Sequence, residues 1–332
     1  MQNTKNKSKD VIGSLFNERM VGQNQVKSKF RFWLRAYNGN SVMPITFLTG
    51  PKGHGKTEFA KLVHLEIKKI HARKKLPNPL FAEVNCSQFK SPTQFFEELI
   101  RPLEGEYAVV LLDECHELPK KVQTALLTPF GSKNNISSVE WRGEKFEFDR
   151  NKITFLLATT NPEKVLGTLI NRMTAVGFNS YSHEEIKDIL KLLIGDNITV
   201  DEDILLDIAM SCRKSPRIAS MQTFPNLQRI ASMNDEFSVT KYNWNDFKEA
   251  MGILPLGLGE TEAEYLLYLN KQAGGKATNQ SISAHLKMDR STVSKQIQTY
   301  LMEADLIYVG DASRRIITPE GRKIAEQLKR GF

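Results

Sequence analysis

The chain has few cysteines and no long apolar run. Its 332 residues include three cysteines, Cys86, Cys115 and Cys212, which lie far apart and form no CxxC pair. This pattern excludes a disulfide framework and the ligand spacing of a zinc site, and it favours a reducing, cytoplasmic location. No apolar stretch approaches the roughly 18 to 20 residues that a helix needs to cross a bilayer, so we expect no membrane association.

The chain also lacks internal repeats and, beyond its first residues, low-complexity segments. Its first ten residues are polar and lysine-rich, which excludes a secretion signal and predicts a disordered basic tail over residues 1–17. A 40% hydrophobic and 25% charged composition is typical of a globular protein, and the length predicts two or three domains. The formal net charge of +8 permits a polyanionic partner.

Residues 50–57 read G-x-x-x-x-G-K-T and are the most informative segment. A β-prone apolar run at 45–49 precedes them, and apolar residues follow at helical spacing. A strand, a glycine-rich turn and a helix in this order predict the phosphate loop of a nucleoside triphosphatase, whose backbone N–H groups close around phosphate oxygens. The predicted ATP-binding residues of the loop are Gly50, Pro51, Lys52, Gly53, His54, Gly55, Lys56 and Thr57.

A second element of a phosphate site follows at the end of an apolar run over residues 107–112. We predict that Lys56 reaches the β- and γ-phosphates and that the hydroxyl of Thr57 binds Mg²⁺. Asp113 is predicted to complete the metal shell, and Glu114 to polarise the water that attacks the γ-phosphate. The neighbouring Cys115 and His116 receive no metal role.

A third apolar run, over residues 153–158, is followed by Thr160 and Asn161. In a parallel sheet this strand would lie beside the Asp113 strand, so we predict that Thr160 or Asn161 bonds to the γ-phosphate or the attacking water. Arg172 and Arg217 are candidate catalytic arginines because a planar cation stabilises the charge that develops on the γ-phosphoryl oxygens. From spacing alone, an isolated arginine is more often solvated or salt-bridged than catalytic.

The pattern of the chain predicts three domains after the tail. Strand-like runs at 45–49, 81–84, 107–112 and 153–158 alternate with amphipathic helices over residues 18–179, which indicates an α/β domain with a parallel sheet. Helical periodicity alone continues over residues 180–254 and predicts a small all-helical domain. Residues 254–259, Leu-Pro-Leu-Gly-Leu-Gly, predict a hinge before a third domain over residues 255–332.

The third domain has the pattern of a winged helix. Two short helices on either side of a turn at 287–289, followed by strands at 306–309 and 315–318, predict a helix-turn-helix with a β-wing. The predicted outward residues of the second helix are Arg290, Ser291, Thr292, Ser294, Lys295 and Gln298. Among these, Arg290, Ser291 and Lys295, together with Arg314 and Arg315 at the wing tip, are predicted to contact DNA phosphates without reading sequence. A winged helix that contacts proteins is the open alternative.

The order of phosphate loop, D-E strand, A-T-T-N strand, arginine and S-P-R resembles the AAA+ ATPase family. Within that family it is most similar to the RuvB group of Holliday-junction branch-migration motors. The similar pieces are Met20-Val21-Gly22-Gln23, Asp113-Glu114-Cys115-His116-Glu117-Leu118, Ala158-Thr159-Thr160, Ser215-Pro216-Arg217-Ile218-Ala219 and Gly257-Leu258. The fold class implied is an AAA+ P-loop parallel-sheet domain, a small all-helical lid domain and a C-terminal winged-helix domain.

The resemblance also implies roles and partners. Arg172 would be the arginine finger that reaches a neighbouring subunit's nucleotide, Arg217 the second sensor on the lid, and Val21 and Gly22 would flank the adenine. A finger supplied in trans requires a homo-oligomer, which the family implies is a hexamer. Residues 139–148 alternate around an Arg-Gly turn and predict a β-hairpin, with Trp141 and Phe146 exposed for docking a RuvA-like junction-binding protein. The open alternative is that these aromatics pack on their own domain.

Two classes of function remain in view. The first is an ATP-driven motor that moves duplex DNA through a ring and drives branch migration at four-way junctions in recombination and repair. The second is a DNA-binding switch, similar to archaeal-type origin initiators, in which the nucleotide governs assembly and turnover is slow. A clamp-loader-like role is a third option. DNA stimulation of ATP turnover separates the motor from the switch.

Overall fold

The chain folds into two compact units that divide between Tyr181 and Ser182. The computed structural model describes residues 11–38, 41–233 and 235–330. The strands of the first unit are β1 (Thr46–Thr49), β2 (Leu80–Asn85), β3 (Ala108–Asp113), β4 (Ile136–Trp141), β5 (Glu144–Asp149), β6 (Ile153–Thr159) and β7 (Thr174–Gly177). Its helices are α1 (Ser14–Arg19), α2 (Asn24–Asn38), α3 (Lys56–Lys74), α4 (Pro92–Phe95), α5 (Lys120–Ala125), α6 (Leu127–Gly131) and α7 (Gly167–Ile170).

Five of these strands form one parallel sheet in the order β2-β3-β6-β1-β7. Strand β6 is buried at every position, as a strand covered on both faces requires. In β3, Val110 and Leu112 pack into the cluster on one face, and Val109 and Leu111 into the cluster on the other. The four predicted strands and the neighbouring of β3 and β6 are confirmed. Strand β7 was not predicted, because it is short and only Val176 in it is buried.

Helix α3 carries the phosphate loop's last two residues at its start and packs on the sheet. Its buried positions Phe59, Val63, Ile67 and Ile70 recur every three or four residues, which gives one apolar face. Among the described residues, no helix is long and apolar enough to cross a membrane.

The predicted tail over residues 1–17 is wrong at its C-terminal end. Residues 1–10 lie outside the described residues, but α1 begins at Ser14, and its Leu15 and Phe16 are buried. The backbone N–H groups of Gly13 and Leu15 donate to the two carboxylate oxygens of Glu66, each at 2.9 Å. Glu66 is fully buried on α3, so this segment is part of the first unit.

We predict that Glu66→Gln destabilises the first unit. A carboxylate accepts at both oxygens, whereas an amide has one acceptor and turns its NH₂ group toward the other backbone donor. Leaving a buried donor without an acceptor should lower the free energy of unfolding by about 1–3 kcal/mol in urea denaturation. Glu58→Gln, on the exposed side of the same helix, should change it by less than about 0.5 kcal/mol. Equal effects of the two substitutions would contradict the assignment.

The second unit begins with a helical lid. Its elements are α8 (His183–Ile194), β8 (Thr199–Val200), α9 (Glu202–Ser211), α10 (Pro216–Ile218), α11 (Phe224–Ala231), β9 (Ser238–Val239) and α12 (Lys241–Ala250). Strands β8 and β9 pair in parallel, so the lid is helical as predicted except for this short ladder. The buried Trp244 of α12 donates its indole N–H to Asp207 of α9 at 2.7 Å, which joins the two helices.

The winged helix follows the lid within the same compact unit. Its elements are α13 (Glu260–Lys271), β10 (Lys276–Ala277), α14 (Asn279–Leu286), α15 (Arg290–Thr292), α16 (Thr299–Glu303), β11 (Ile307–Val309), β12 (Arg315–Ile317) and α17 (Pro319–Arg330). A π-helical segment, Val293–Gln298, joins α15 to α16, and the whole run from 290 to 303 is the second helix of the helix-turn-helix. The wing is an antiparallel sheet in the order β10-β12-β11.

Candidate functional site

The phosphate loop lies between β1 and α3 and depends on its glycines. Gly50, Gly53 and Gly55 have φ angles of 141°, 79° and 88°, a region that side chains with a Cβ rarely adopt. A Cβ on Gly50 would lie 2.7 Å from the carbonyl oxygen of Phe178. Gly55 is the residue immediately before α3, so the loop opens onto a helix N-terminus, where backbone N–H groups and the helix dipole favour an anion.

Lys56 and Thr57 place a cation and a hydroxyl at the loop. The ammonium of Lys56 donates to the carbonyl oxygens of Gly50, at 2.7 Å, and Pro51, at 2.9 Å. The hydroxyl of Thr57 donates to a carboxylate oxygen of Asp113 at 3.0 Å. The sequence therefore correctly predicted that the end of β3 and the start of α3 meet.

The donor set at Thr57 and Asp113 fits Mg²⁺. This ion takes oxygen ligands and keeps several waters, so proteins usually hold it by one or two side chains together with substrate phosphates. A hydroxyl and a carboxylate 3.0 Å apart provide those two oxygens. Among the described residues there is no group of three or more His, Cys, Asp or Glu that could hold a metal ion.

Glu114 lies at the end of β3 in a left-handed conformation, with φ at 49°. Its N–H donates to Asp113 at 3.0 Å, and its side chain accepts a hydrogen bond from the hydroxyl of Thr160 at 3.3 Å. Backbone strain at a polar strand end is a feature of functional sites. The hydroxyl of Thr160 also lies 3.0 Å from the amide oxygen of Asn161, so the ends of β3 and β6 form one cluster, as predicted.

The structure adds His116 to this cluster. Its Nδ1 lies 2.8 Å from the hydroxyl of Thr159 and 3.4 Å from Glu114, and its Nε2 lies 3.0 Å from Glu117. The ring is nearly buried and bridges β3 to β6 beside Glu114. The sequence pattern indicated no role for His116, because spacing along one strand does not reveal which neighbouring strand a side chain contacts.

The cysteine that follows Glu114 has an unreactive thiol. Cys115 is buried, and burial, followed by the nearby carboxylates Asp113 and Glu114, raises the pKa of its thiol well above its usual value. Burial raises the pKa of the Cys86 thiol in the same way. Thiols held neutral are poor nucleophiles and poor metal ligands, which agrees with the absence of a predicted role.

The segment before α2 lies beside the phosphate loop. A Cβ on Gly55 would lie 2.8 Å from the terminal methyl of Met20. Gln23 is buried and exchanges two hydrogen bonds with the backbone of Asn179, at 2.8 and 3.0 Å. The hydroxyl of Tyr181 donates to the carbonyl oxygen of Val21 at 3.4 Å. These contacts hold Val21 and Gly22 near the loop, where the resemblance puts the adenine.

The two candidate arginines lie on different units. Arg172 follows α7 on the surface of the first unit, where its guanidinium donates to the carbonyl oxygen of Thr168 at 2.6 Å. Arg217 lies exposed on α10 of the second unit. The hydroxyl of Ser215 caps that helix by accepting the N–H of Ile218. The catalytic roles of both arginines stay predictions.

The second helix of the helix-turn-helix presents Arg290, Ser291 and Lys295 to solvent, as predicted. Asp289 caps it by accepting from Thr292 and Ser291, and these hydrogen bonds lower the pKa of Asp289 well below its usual value. The side chain of Asp289 therefore satisfies two of the free N–H groups at the start of the helix.

One prediction about this surface is wrong, and a second residue makes a contact that was not predicted. Gln298 is 1% exposed, not outward-facing, and its amide donates to Asn279 at 2.8 Å. Arg315 is half-buried and donates to Gln298 at 3.0 Å, so its guanidinium supports the wing from inside. The irregular π-helical turn moves Gln298 inward, and the register of β12 turns Arg315 toward it. Arg314 remains exposed at the wing tip.

The predicted hairpin exists, but its aromatic residues do not face solvent. Phe146 is 1% exposed and stacks on Phe96 with ring centroids 5.1 Å apart. Trp141 is half-buried and donates its indole N–H to Thr93 at 3.0 Å. The two-residue alternation of β4 and β5 turns one face of the hairpin onto its own domain. The exposed residues are Glu140, Arg142, Gly143, Glu144, Lys145 and Glu147.

Two family models match separate parts of the chain. Residues 46–181 match the model of the AAA family, described as ATPase family associated with various cellular activities. Residues 255–326 match the model of the RuvB C-terminal winged helix domain. The chain is 23% identical to the Holliday junction branch migration complex subunit RuvB of Campylobacter lari, over 85% of this chain and 82% of the relative. It is 26% identical to RuvB of Orientia tsutsugamushi, over 89% and 88%.

Solved structures show the same architecture. The Holliday junction branch migration motor RuvB of Thermotoga maritima superposes with a TM-score of 0.69 at 20% identity, over 92% of this chain and 95% of that one. The ORC2 protein of Aeropyrum pernix has a TM-score of 0.57 at 14% identity, over 93% of each chain. The chain thus carries a domain similar to the AAA ATPase family over residues 46–181, followed by a domain similar to the RuvB C-terminal winged helix over residues 255–326.

Proposed function

We propose that the chain is an ATP-driven DNA motor of the RuvB type. It hydrolyses ATP in a ring, moves duplex DNA and drives the branch migration of Holliday junctions. The observation that carries the proposal is that an AAA nucleotide site and a RuvB-type winged helix stand in one chain, in the order found in RuvB. A cytoplasmic location is part of the proposal, since ATP and chromosomal DNA meet there in bacteria.

The nucleotide site provides the chemistry. Loop N–H groups and Lys56 bind the phosphates of ATP, and Glu114 orients and polarises the attacking water. Thr160, bonded to Glu114, and the adjacent Asn161 line the water's position. Thr57 and Asp113 would hold Mg²⁺, which neutralises charge on the β- and γ-phosphates when bound.

The ring completes this site from a neighbouring subunit. In the proposed hexamer, Arg172 reaches the γ-phosphate of the next subunit, and its exposed position leaves it available for that contact. Arg217 acts on the nucleotide of its own subunit from the lid. Charge on the transferring phosphoryl group makes both arginines most effective in the transition state.

The winged helix provides the grip on DNA. Exposed Arg290, Ser291 and Lys295, with Arg314 on the wing, present donors and positive charge to backbone phosphates. Contacts of this kind are independent of base sequence, as a motor that passes along duplex DNA requires. Arg315 contributes by holding the wing in place through Gln298.

A RuvA-like junction-binding protein is the proposed partner of the hairpin over residues 139–148. Because Phe146 is buried, docking would use the exposed, mainly charged residues of the hairpin. The DNA-switch alternative is less well supported, since the RuvB structure superposes better than the ORC2 structure. No separate observation favours the clamp-loader role.

The proposal is tested by ATP turnover with and without DNA. Turnover of the full chain should rise on duplex DNA of unrelated sequences and on a synthetic four-way junction, and the junction should be converted to duplex products in the presence of ATP. The stimulation should weaken as salt rises, because phosphate contacts release counterions. Tight, sequence-selective binding with little turnover would refute the motor and favour the switch.

Matched variants show whether the winged helix is responsible for the salt-dependent binding of DNA. Arg290→Ala combined with Arg314→Ala should reduce the salt dependence of DNA binding by about one unit of log–log slope for each phosphate that the variant no longer neutralises. Lys329→Ala, on the exposed side of α17, should leave that slope unchanged. Equal slopes in both variants would mean that DNA binds elsewhere.

A further inference from the structure

The linker between the lid and the winged helix is held on both sides. Gly257 has φ at 67°, and a Cβ there would lie 2.3 Å from the carbonyl oxygen of Ser211, at the end of α9. The hydroxyl of Tyr300, on α16, donates to the carbonyl oxygen of Leu256. Leu258 is 2% exposed. The predicted hinge is therefore packed against both parts of the unit, and it joins them closely.

Arg213 is the central residue of this junction. It follows α9 and has φ at 54°, an unusual conformation for a residue with a long side chain. Its guanidinium lies 3.8 Å from the ring centroid of Tyr300 and donates to the carboxylate of Glu262 on α13. A planar guanidinium can lie flat on an aromatic ring while its edge N–H groups donate to a carboxylate.

The carboxylate of Glu262, which pairs with Arg213, is buried, and both of its oxygens accept hydrogen bonds. Glu262 is 6% exposed; one oxygen accepts from Arg213, and the other accepts the N–H of Gly259 at 2.8 Å, which caps α13. A buried ion pair contributes little net stability relative to an apolar pair, but losing one partner leaves an uncompensated charge. Such a pair favours one arrangement of the two elements that it joins.

A second contact follows immediately. Lys214, also at a φ of 54°, donates from its ammonium to the carbonyl oxygen of Glu303 at the end of α16 at 3.2 Å. Arg213 and Lys214 thus both belong to the lid, and the side chains of both contact the winged helix. Ser215, the next residue, caps the helix that carries Arg217. The winged helix is therefore tied to the residues directly before the predicted second sensor.

We propose that Arg213 is a positioning residue that couples the nucleotide bound by the chain to its affinity for DNA. Held between Glu262 and Tyr300, it makes the start of the Arg217 helix move together with α13 and α16. A change in the lid that follows the γ-phosphate is then passed to the second helix of the helix-turn-helix, which continues into α16. This inference rests on the proposed function, and it adds the contact through which ATP binding and DNA binding influence each other.

The test measures coupling in the full chain. The affinity for a mixed-sequence DNA duplex is measured with and without a non-hydrolysable ATP analogue, and the affinity for the analogue with and without the duplex. Each pair of affinities gives one ratio: DNA affinity with and without the analogue, and analogue affinity with and without the duplex. In the wild-type chain the two affinity ratios must agree, because binding coupling is reciprocal, and couplings of this kind are about 5- to 150-fold. Arg213→Gln should bring both ratios close to one, and the DNA stimulation of ATP turnover should fall by about fivefold or more.

Two further variants separate positioning from folding. Glu262→Gln keeps an oxygen for the N–H of Gly259, so α13 stays capped, while the charge that holds Arg213 is removed. It should lose coupling as Arg213→Gln does, while its thermal unfolding still begins above the assay temperature. Lys191→Gln removes an exposed ion pair with Glu202 in the same unit and should leave both ratios unchanged.

Each result decides the matter. Folded Arg213→Gln or Glu262→Gln chains that keep the wild-type ratios would overturn the coupling role, even if they unfold at a lower temperature. A wild-type chain in which DNA neither stimulates turnover nor changes nucleotide affinity would overturn the proposed function, and this inference with it. The coupling role is supported if both affinity ratios fall close to one in Arg213→Gln and in Glu262→Gln but keep their wild-type values in Lys191→Gln.

Discussion

Replacing Glu114 by glutamine should reduce ATP turnover by about 10²–10⁴-fold and leave nucleotide binding intact. The amide keeps the size and the acceptor oxygen of the side chain, so the hydrogen bond from Thr160 and the left-handed backbone can both persist. The substitution removes the negative charge that polarises the attacking water. A positioned general base contributes about 10²–10⁴-fold, so turnover in steady state should fall by that factor.

The measurement has three parts. Phosphate release gives turnover, a fluorescent ATP analogue gives affinity, and the mass of the assembly shows whether subunits still associate. Glu83→Gln, on the neighbouring strand β2 and paired with Lys61 at the surface, is the control and should turn over normally. If Glu114→Gln kept more than about a tenth of wild-type turnover, the assignment of the base would be wrong.

The nucleotide site was predictable because its signals are local. Glycines at Gly50, Gly53 and Gly55 are needed for backbone angles that other residues avoid, and buried parallel strands are written as continuous apolar runs. Once β3 and β6 were recognised as neighbours, the meeting of Glu114 with Thr160 followed from the common edge of a parallel sheet. The short edge strand β7 escaped because it offers almost no apolar pattern.

The errors concern side-chain direction. Phe146 and Gln298 were both predicted to face outward, and both are 1% exposed. A hairpin's alternation shows which residues share a face but not which face lies on the protein, and a π-helical turn shifts the helical register without a sequence signal. Arg213 is a similar case. Its two partners lie 49 and 87 positions away in the chain, and nothing local predicts them.

These cases show which groups of the site sequence reasoning can place. It identified groups whose chemistry is fixed by a motif, such as Lys56 and Asp113. It did not identify groups that act by holding other groups, such as His116 between β3 and β6 or Gln298 beneath Arg315. Supporting residues depend on tertiary contacts, and the same residue types occur at many solvated positions.

Arg172→Ala should be the other nearly complete loss of turnover. An arginine finger contributes about 10³–10⁵-fold to nucleotide hydrolysis, because it stabilises charge that is greatest in the transition state. Arg172 is exposed, and its one described hydrogen bond is to the backbone of Thr168, so the substitution should leave the unfolding temperature unchanged. Lys164→Ala, an exposed cation shortly before α7, is the control and should keep turnover.

Mixing subunits tests whether Arg172 acts across an interface. Arg172→Ala and Glu114→Gln chains should each be inactive alone. In an equal mixture, roughly one quarter of the interfaces of a head-to-tail ring join an intact Glu114 to a neighbour's intact Arg172, so turnover should reappear. The recovery should depend on total protein concentration, since it requires assembly. If Arg172 acted within its own subunit, no mixture would contain a complete site and turnover would stay absent at every ratio.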